Sequence, residues 1–268
     1  IGWAGAAAGA DVKFGGRITY GEVIRVQDRD PNLLTGINAS AIGLSGFGSG
    51  GNADDANTNY ARWDAASRAV KGLFELSASE GPWSAALRVK AWRDVGLAHD
   101  ARPWGNVING YAPDAPLSDA GASRRARFDG VALSEAWVGR TWRVGDVPVL
   151  ARLGHQSLDW GGRTLNQGGL EALNPRDLPG LRRAGTVPQE TVVPRPMLFG
   201  RLEAMPGLAF EAYYQSAFRP TAIDLCGTLW SMSDYLADGC DRVMSGQPMV
   251  SDRARVQLGA YQKRLPTP

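Results

Sequence analysis

The side chains most able to do chemistry are concentrated in the stretch DWGGRTLNQGGLEALNPRD, residues 159–177. It combines three carboxylates, two arginines and a tryptophan with four glycines, and it lacks the alternation of the segments around it. His155 lies just before it, four residues from Asp159. Hydrolysis would need a nucleophile such as Ser157 or a distant serine beside this pair. A hydrogen-bonded polar residue at a strand end is the simpler interpretation of His155, and the hydrolase is kept as an alternative.

Two further motifs are compatible with ligand binding. GFGSGG, residues 46–51, matches the dinucleotide pattern G-x-G-x-x-G, but the turn-like NADDANTNY follows it in place of a helix. We therefore predict a glycine-rich loop. The segments DRDPN (28–32) and NADDAN (52–57) offer oxygen ligands for calcium without the spacing of a calcium-binding loop. The sequence predicts no cofactor and leaves calcium open.

Cys226 and Cys240 are the only cysteines. They lie in one loop-like segment, which favours a disulfide and an oxidising compartment over two unpaired buried thiols. The only histidines, His99 and His155, are distant in sequence, which argues against a zinc site.

The elements that must position these residues are strands, because apolar and polar residues alternate with a period of two. One long strand is predicted over residues 12–26, and a last one begins near Arg253. Three hairpins with short turns are predicted between them, at 68–79 with 83–93, 131–143 with 147–156, and 197–204 with 208–218.

The connections between these strands are either very short or very long. The long ones cover 27–58, 96–127, 157–196 and 219–252. Short turns at one end and long loops at the other are typical of an outer-membrane barrel, and a barrel also removes exposed strand edges. We expect an all-β fold, an antiparallel transmembrane β-barrel forming one domain over 1–268. Since the sequence ends on a strand that has just begun, we expect it to be the front half of a longer barrel.

Composition sets further limits. The net charge of +2 is too small to imply nucleic acid. No apolar run is long enough for a transmembrane helix, which leaves transmembrane strands possible. Lysine occurs at only four positions, Lys13, Lys71, Lys90 and Lys263. The arginine excess suits a packed polar lumen, and a GC-rich genome would produce it too. The opening residues IGWAGAAAGAD are similar to the tail of a signal peptide.

Several motifs occur together in an order that resembles a known family. They are Arg152-Leu153-Gly154-His155-Gln156, Asp159-Trp160-Gly161, Gln167-Gly168-Gly169, Leu173-Asn174-Pro175, Leu181-Arg182-Arg183, Pro194, Glu211-Ala212-Tyr213-Tyr214-Gln215, Cys226 and Cys240. This pattern closely resembles a proteobacterial outer-membrane family catalogued as domain of unknown function number thirteen-hundred-and-two. The chain departs from it at Gly162-Arg163 and at Ala184, and it is about half the usual length.

The resemblance implies a signal-bearing barrel in the outer membrane of a Gram-negative bacterium. Its partners would be outer-membrane lipids, a partner outer-membrane lipoprotein and an inner-membrane exporter of the resistance-nodulation-division type. Movement of hydrophobic compounds is the implied activity, and no catalytic residue is carried over.

Our first hypothesis is a channel or envelope component of a transport route for hydrophobic or small solutes, in which 157–196 folds into the lumen. The residues expected to line or plug that lumen are Trp160, Gly161, Arg163, Gln167, Gly168, Gly169, Asn174, Pro175, Arg176, Asp177, Arg182 and Arg183. The second hypothesis is a plugged anchor whose disulfide loop, 219–252, docks another envelope component. An outer-membrane hydrolase using His155 and Asp159 is the third.

Overall fold

The structure of the chain is a computed structural model. It describes residues 9–105, 113–160 and 173–240, together with the backbone of two short strands at 242–243 and 256–257. Its main feature is an antiparallel sheet of seven strands, and its helices are short. None of the helices that the structure describes is long and apolar enough to cross a membrane.

The strands and helices follow one another in a simple order along the chain. The strands are β1 (Asp11–Ile24), β2 (Ala65–Glu80), β3 (Trp83–Asp94), β4 (Ala101–Arg102), β5 (Ala115–Pro116), β6 (Asp129–Val144), β7 (Val147–Gln156), β8 (Arg195–Met205), β9 (Leu208–Gln215), β10 (Arg242–Val243) and β11 (Val256–Gln257). The helices are α1 (Gly36–Ala41), α2 (Asp55–Asn59), α3 (Val95–His99) and α4 (Leu178–Arg182), with single 3-10 turns at Pro31–Leu33 and Pro188–Glu190.

The large sheet has the strand order β1-β2-β3-β6-β7-β8-β9, and each neighbouring pair is antiparallel. The three predicted hairpins are confirmed as β2–β3, β6–β7 and β8–β9, with ends shifted by a few residues. Gly81 and Gly145 occupy two of the short turns at positive φ, where a side chain would strain the backbone. The all-β prediction is therefore confirmed.

The sheet is open, which differs from the predicted closed barrel. Among the strands that the structure describes, β1 and β9 each have a single neighbour and form the two edges of the large sheet. Closure would require these edges to pair with each other or with further strands. The predicted last strand near Arg253 corresponds to the short β11, which pairs with β10 outside the large sheet.

One face of the sheet, called here the apolar face, is hydrophobic across all seven strands. Leu153 is paired between Val138 and Leu198, and Leu198 is paired with Tyr214, so apolar side chains form continuous rows. They are largely exposed, up to 75% for Ile18. The exposed members are Val12, Phe14, Ile18, Tyr20, Val70, Phe74, Leu76, Leu87, Val131, Val138, Leu153, Leu198, Leu202, Phe210 and Tyr214.

The opposite face, called here the polar face, carries charged side chains joined in ion pairs. Arg88 on β3 contacts Glu75 on β2 and lies 2.8 Å from Glu135 on β6. Arg201 on β8 lies 3.0 Å from Glu211 on β9. The alternation read from the sequence thus separates an apolar from a charged surface, as the pleat of a strand requires.

The long connections leave the sheet at the end opposite the short turns, where two of them, the second and the fourth, form a small hydrophobic core. Its buried residues come from 104–128 and 225–240. The predicted disulfide is confirmed, because Cys226 and Cys240 are bonded within this core. The first long connection joins it through Asp55, whose carboxylate accepts a 2.7 Å hydrogen bond from the amide of Gly227.

Removing the disulfide should loosen this core. The bridge joins residues 14 apart in sequence, and closing a loop of this size stabilises a fold by about 3 kcal/mol through the unfolded chain. We expect a variant carrying Cys226→Ser and Cys240→Ser to lose stability of that order in denaturant titration. Alkylation without prior reduction should leave the wild-type mass unchanged. Labelling of both thiols in the untreated protein would contradict the bridge.

Candidate functional site

The candidate site lies where segment 173–193, called here the inner loop, meets the polar face. The inner loop begins at Asn174, whose side chain donates to the carbonyl of Leu158 at 2.6 Å. Asp177 then caps α4, its Oδ1 accepting from the amide of Gly180 at 2.8 Å. Backbone bonds from Asp177 to Thr191 close the loop on itself, so its fold is fixed locally.

The second carboxylate oxygen of Asp177 carries the main contact with the sheet. Oδ2 accepts from Nζ of Lys90 on β3 at 2.6 Å and from Nη1 of Arg125 at 3.1 Å. Asp177 is completely buried, and the Lys90 side chain is 3% exposed. Burial alone would raise the pKa of the Asp177 carboxyl, but Lys90, Arg183 and Arg125 hold it below its usual value.

Glu190 forms the second contact between the inner loop and the sheet, at β2, the neighbour of β3. Its carboxylate lies 2.9 Å from Nζ of Lys71 on β2 and 3.2 Å from Nη2 of Arg17 on β1. Lys71 also donates to Oγ1 of Thr186 at 2.8 Å. Lys90 contacts the backbone carbonyl of Glu190 in addition to Asp177, so the two contacts are joined.

Lys71, Lys90, Arg125, Asp177 and Glu190 are called here the ion-pair cluster. Arg183 lies beside it, with its guanidinium 4.2 Å from the ring centre of Trp92 and a 3.0 Å hydrogen bond to a backbone carbonyl. Burial lowers the pKa of Arg183 to about 10, which leaves it charged at neutral pH. A cation over an indole ring in a dry environment is a favourable arrangement.

The same connection contacts the other side of the sheet through Trp160, which precedes the inner loop. Its indole Nε1 contacts the Glu211 carboxylate on β9, and its ring meets that of Tyr213 edge-on at 5.3 Å. At the opposite side, a Cβ on Gly21 of β1 would overlap Ala184, so this glycine allows the closest approach of loop to strand. Two described parts of the connection, Trp160 and the inner loop, therefore contact opposite edges of the sheet, at β9 and β1.

The structure brings together only some of the residues predicted for the lumen. Trp160, Asp177 and Arg183 contact the polar face or its bordering loops, as given above. Arg176 and Pro175 provide backbone carbonyls that accept from Ala222 and Val193 at 2.8 Å. The predictions for Gly161, Arg163, Gln167, Gly168 and Gly169 fall outside the described residues.

Arg182 pairs with a further acidic residue of the loops. It lies 3.6 Å from Asp224, a loop carboxylate that is 10% exposed. Burial raises the pKa of Asp224 to about 6, because Arg182 and Arg183 only partly offset the loss of hydration.

Sequence reasoning missed Lys71, Lys90, Arg125 and Glu190. One signal was present, because lysine is rare in this chain and two of the four lysines fall on the polar side of the alternation in β2 and β3. A buried lysine needs a carboxylate partner. No pattern in the sequence indicates which carboxylate is the partner.

The remaining candidates from the sequence are His155, the glycine-rich loop and the possible metal ligands, and each lies apart from the ion-pair cluster. His155 pairs in the sheet with Ala136 and Pro196, and no hydrogen bond links it to Asp159 within the described residues. In the glycine-rich loop, a Cβ on Gly46 would overlap the carbonyl of Leu34. Within residues 9–105, 113–160 and 173–240, no group of three or more potential metal ligands occurs.

These features define a class of all-β protein in which an antiparallel sheet has one apolar face and one charged face, with a long connection held against the charged one. The model of the family described as "Protein of unknown function (DUF1302)" matches residues 3–264, so the chain belongs to that family. The family membership read from the motifs is thereby confirmed. No curated protein and no solved structure matches the chain.

Neutralising Asp177 tests the ion-pair cluster. Asp177→Asn leaves the cap on α4 but strands the buried cations Lys90 and Arg125 without their counter-charge, which should destabilise the loop by about 3 kcal/mol or more. Limited proteolysis should then cut within 173–193 much faster than in the wild type. Asp146→Asn, in an exposed turn, is the matched control. If Asp177→Asn and Asp146→Asn were equally resistant to proteolysis within 173–193, the role of the ion-pair cluster in holding the loop would be contradicted.

Asp224 makes stability depend on pH with a defined sign. The pKa of Asp224 rises from 3.8 to about 6 on folding. The contribution of this group to the free energy of unfolding is therefore fully present below pH 4 and is lost as pH rises through 6. Asp224→Asn should therefore gain roughly 2–3 kcal/mol relative to wild type between pH 4 and pH 7. Denaturant midpoints across this range give the measurement, with Asp146→Asn as control. If the midpoints of Asp224→Asn and the wild type changed with pH in the same way, the raised pKa of Asp224 would be refuted.

Proposed function

We propose that the protein is a component of the outer membrane that serves as a channel or as the envelope end of a transport route for hydrophobic or small solutes. The observation that carries this proposal is the apolar face, which extends over all seven strands of the large sheet. The family and the antiparallel fold are compatible with it.

The apolar face is hard to reconcile with water as the surrounding solvent. Phe14, Ile18 and Tyr214 are each more than 70% exposed, and neighbouring positions on every strand are apolar too. Water-soluble monomers rarely expose apolar patches of more than a few hundred Å². Strands that face lipid on one side and a polar lumen on the other have this alternation.

The polar face supplies the surface along which a solute would move. It carries positively charged arginines and negatively charged glutamates that are held in ion pairs, among them Arg88, Glu135 and Arg201. Charged constrictions of this kind determine what passes through a pore. The inner loop lies on the same face and would narrow or close the passage, because irregular backbone is tolerated at membrane depth only inside the protein.

A plugged anchor is the second candidate, and a specific observation favours it. The inner loop is fixed by buried ion pairs at Asp177 and Glu190, and the segment before the disulfide is bonded to it through the backbone of Ala222. In this role the loop 219–252 would dock another envelope component. The lipoprotein and the exporter implied by the family resemblance are proposed partners for either role.

Two neighbouring positions on β2 test which face meets lipid. Leu76 lies on the apolar face and Ser77 on the polar face, and both side chains are exposed. Leu76→Arg should destabilise the protein in bilayers, by about 2–4 kcal/mol if the position lies near the midplane. Ser77→Arg should be tolerated. Equal effects on folding into liposomes would contradict a lipid-facing surface.

Solute flux tests the transport role and separates it from the anchor. The full-length protein is reconstituted in liposomes, and swelling is compared for wild type, Glu190→Gln and Asp146→Asn. If the inner loop closes a passage, Glu190→Gln should raise flux severalfold because Lys71 loses its partner, whereas Asp146→Asn should behave as wild type. Absence of flux in every variant, with migration on detergent gels that changes on heating, would favour the plugged anchor.

A further inference from the structure

A cavity of about 410 Å³ lies among the loops at the open end of the sheet, beside the ion-pair cluster. Its wall is formed by residues 123–125, Val193 and parts of the disulfide segment. The volume is within the range of about 300–1,000 Å³ that is usual for sites of small molecules. An inference from this cavity goes beyond the proposed function, because the cavity is formed by the loops and does not require a passage through the sheet.

The charged part of the cavity wall is predominantly basic. Arg124, Arg125 and Arg219 line it, against the single carboxylate of Asp238. Arg125 is engaged with Asp177 in the ion-pair cluster. Arg124 and Arg219 are exposed, and neither forms an ion pair or a side-chain hydrogen bond within the described residues. Their guanidinium groups have the planar fork that binds carboxylates and phosphates in a bidentate manner.

Most of the remaining wall is apolar, beside the hydroxyl-bearing Ser123 and Thr221. Val193, Ala222, Ile223 and Leu236 line the same cavity as the arginines, and Leu236 is 56% exposed. A free inorganic anion would leave these side chains in contact with water. A hydrocarbon chain attached to the anion would cover them, and each methylene that it buries contributes to binding.

We propose that this cavity binds a small amphipathic anion, a carboxylate or phosphate group carried on a short hydrocarbon chain. The head group pairs with Arg124 and Arg219, and the chain lies over Ile223 and Leu236. Because Arg125 belongs to both the cavity wall and the ion-pair cluster, the bound anion lies next to the contact that holds the inner loop on the sheet.

The test uses isothermal titration of the full-length protein, kept in solution by an amphipathic polymer. Octanoate and octyl phosphate are the probes. Acetate and inorganic phosphate supply the head group without the chain, and octanol supplies the chain without the charge. The variant is Arg124→Gln with Arg219→Gln, and the control is Arg143→Gln, which removes an exposed arginine at the opposite end of the sheet.

Octanoate or octyl phosphate should bind the wild type and the control alike, and the double variant should raise their Kd about tenfold or more. Resistance of the folded double variant to limited proteolysis shows that binding is lost without unfolding. Three results would overturn the proposal: no binding of either probe, equal affinity for octanol, or equal affinity for inorganic phosphate. The last would identify a site for free anions.

Discussion

The burial of charge beneath the inner loop is the constraint on which the arrangement of the loops depends. The carboxylates of Asp177 and Glu190 are buried almost completely. Asp177 forms an ion pair with Lys90 on β3, and Glu190 forms one with Lys71 on the adjacent strand β2. Such pairs add little net stability over apolar packing, but an unpaired member is strongly unfavourable. A shift of the loop by one residue would unpair both contacts. The ion pairs therefore fix one position of the loop on the sheet.

That position has effects on both sides of the loop. Toward the sheet, the loop covers charged side chains that an open polar face would leave hydrated. Away from the sheet, its backbone pairs with Ala222, which is four residues from the disulfide at Cys226. The inner loop thus contacts the polar face on one side and the segment leading to the disulfide on the other.

The sequence predicted the sheet well because the information for it is local. Hairpins such as β2–β3 follow from alternation and short turns within some thirty residues, and the disulfide followed from the only two cysteines. The ion-pair cluster was only partly predictable. Asp177 and Arg183 were identified as polar loop residues, but Lys90 lies 87 residues from Asp177 and Lys71 lies 119 from Glu190. No local pattern encodes such pairs.

These long separations have a consequence for the order in which the chain acquires its structure. Hairpins close within microseconds because their partners are near in sequence, whereas contacts between distant residues wait until the entropy of a long loop has been lost. Lys71 and Lys90 are in place once β2 and β3 have paired. Asp177 and Glu190 lie 87 and 119 residues further along the chain than their lysine partners, so these pairs form later. During folding the two lysines are therefore hydrated cations first, and they become buried only when the loop docks.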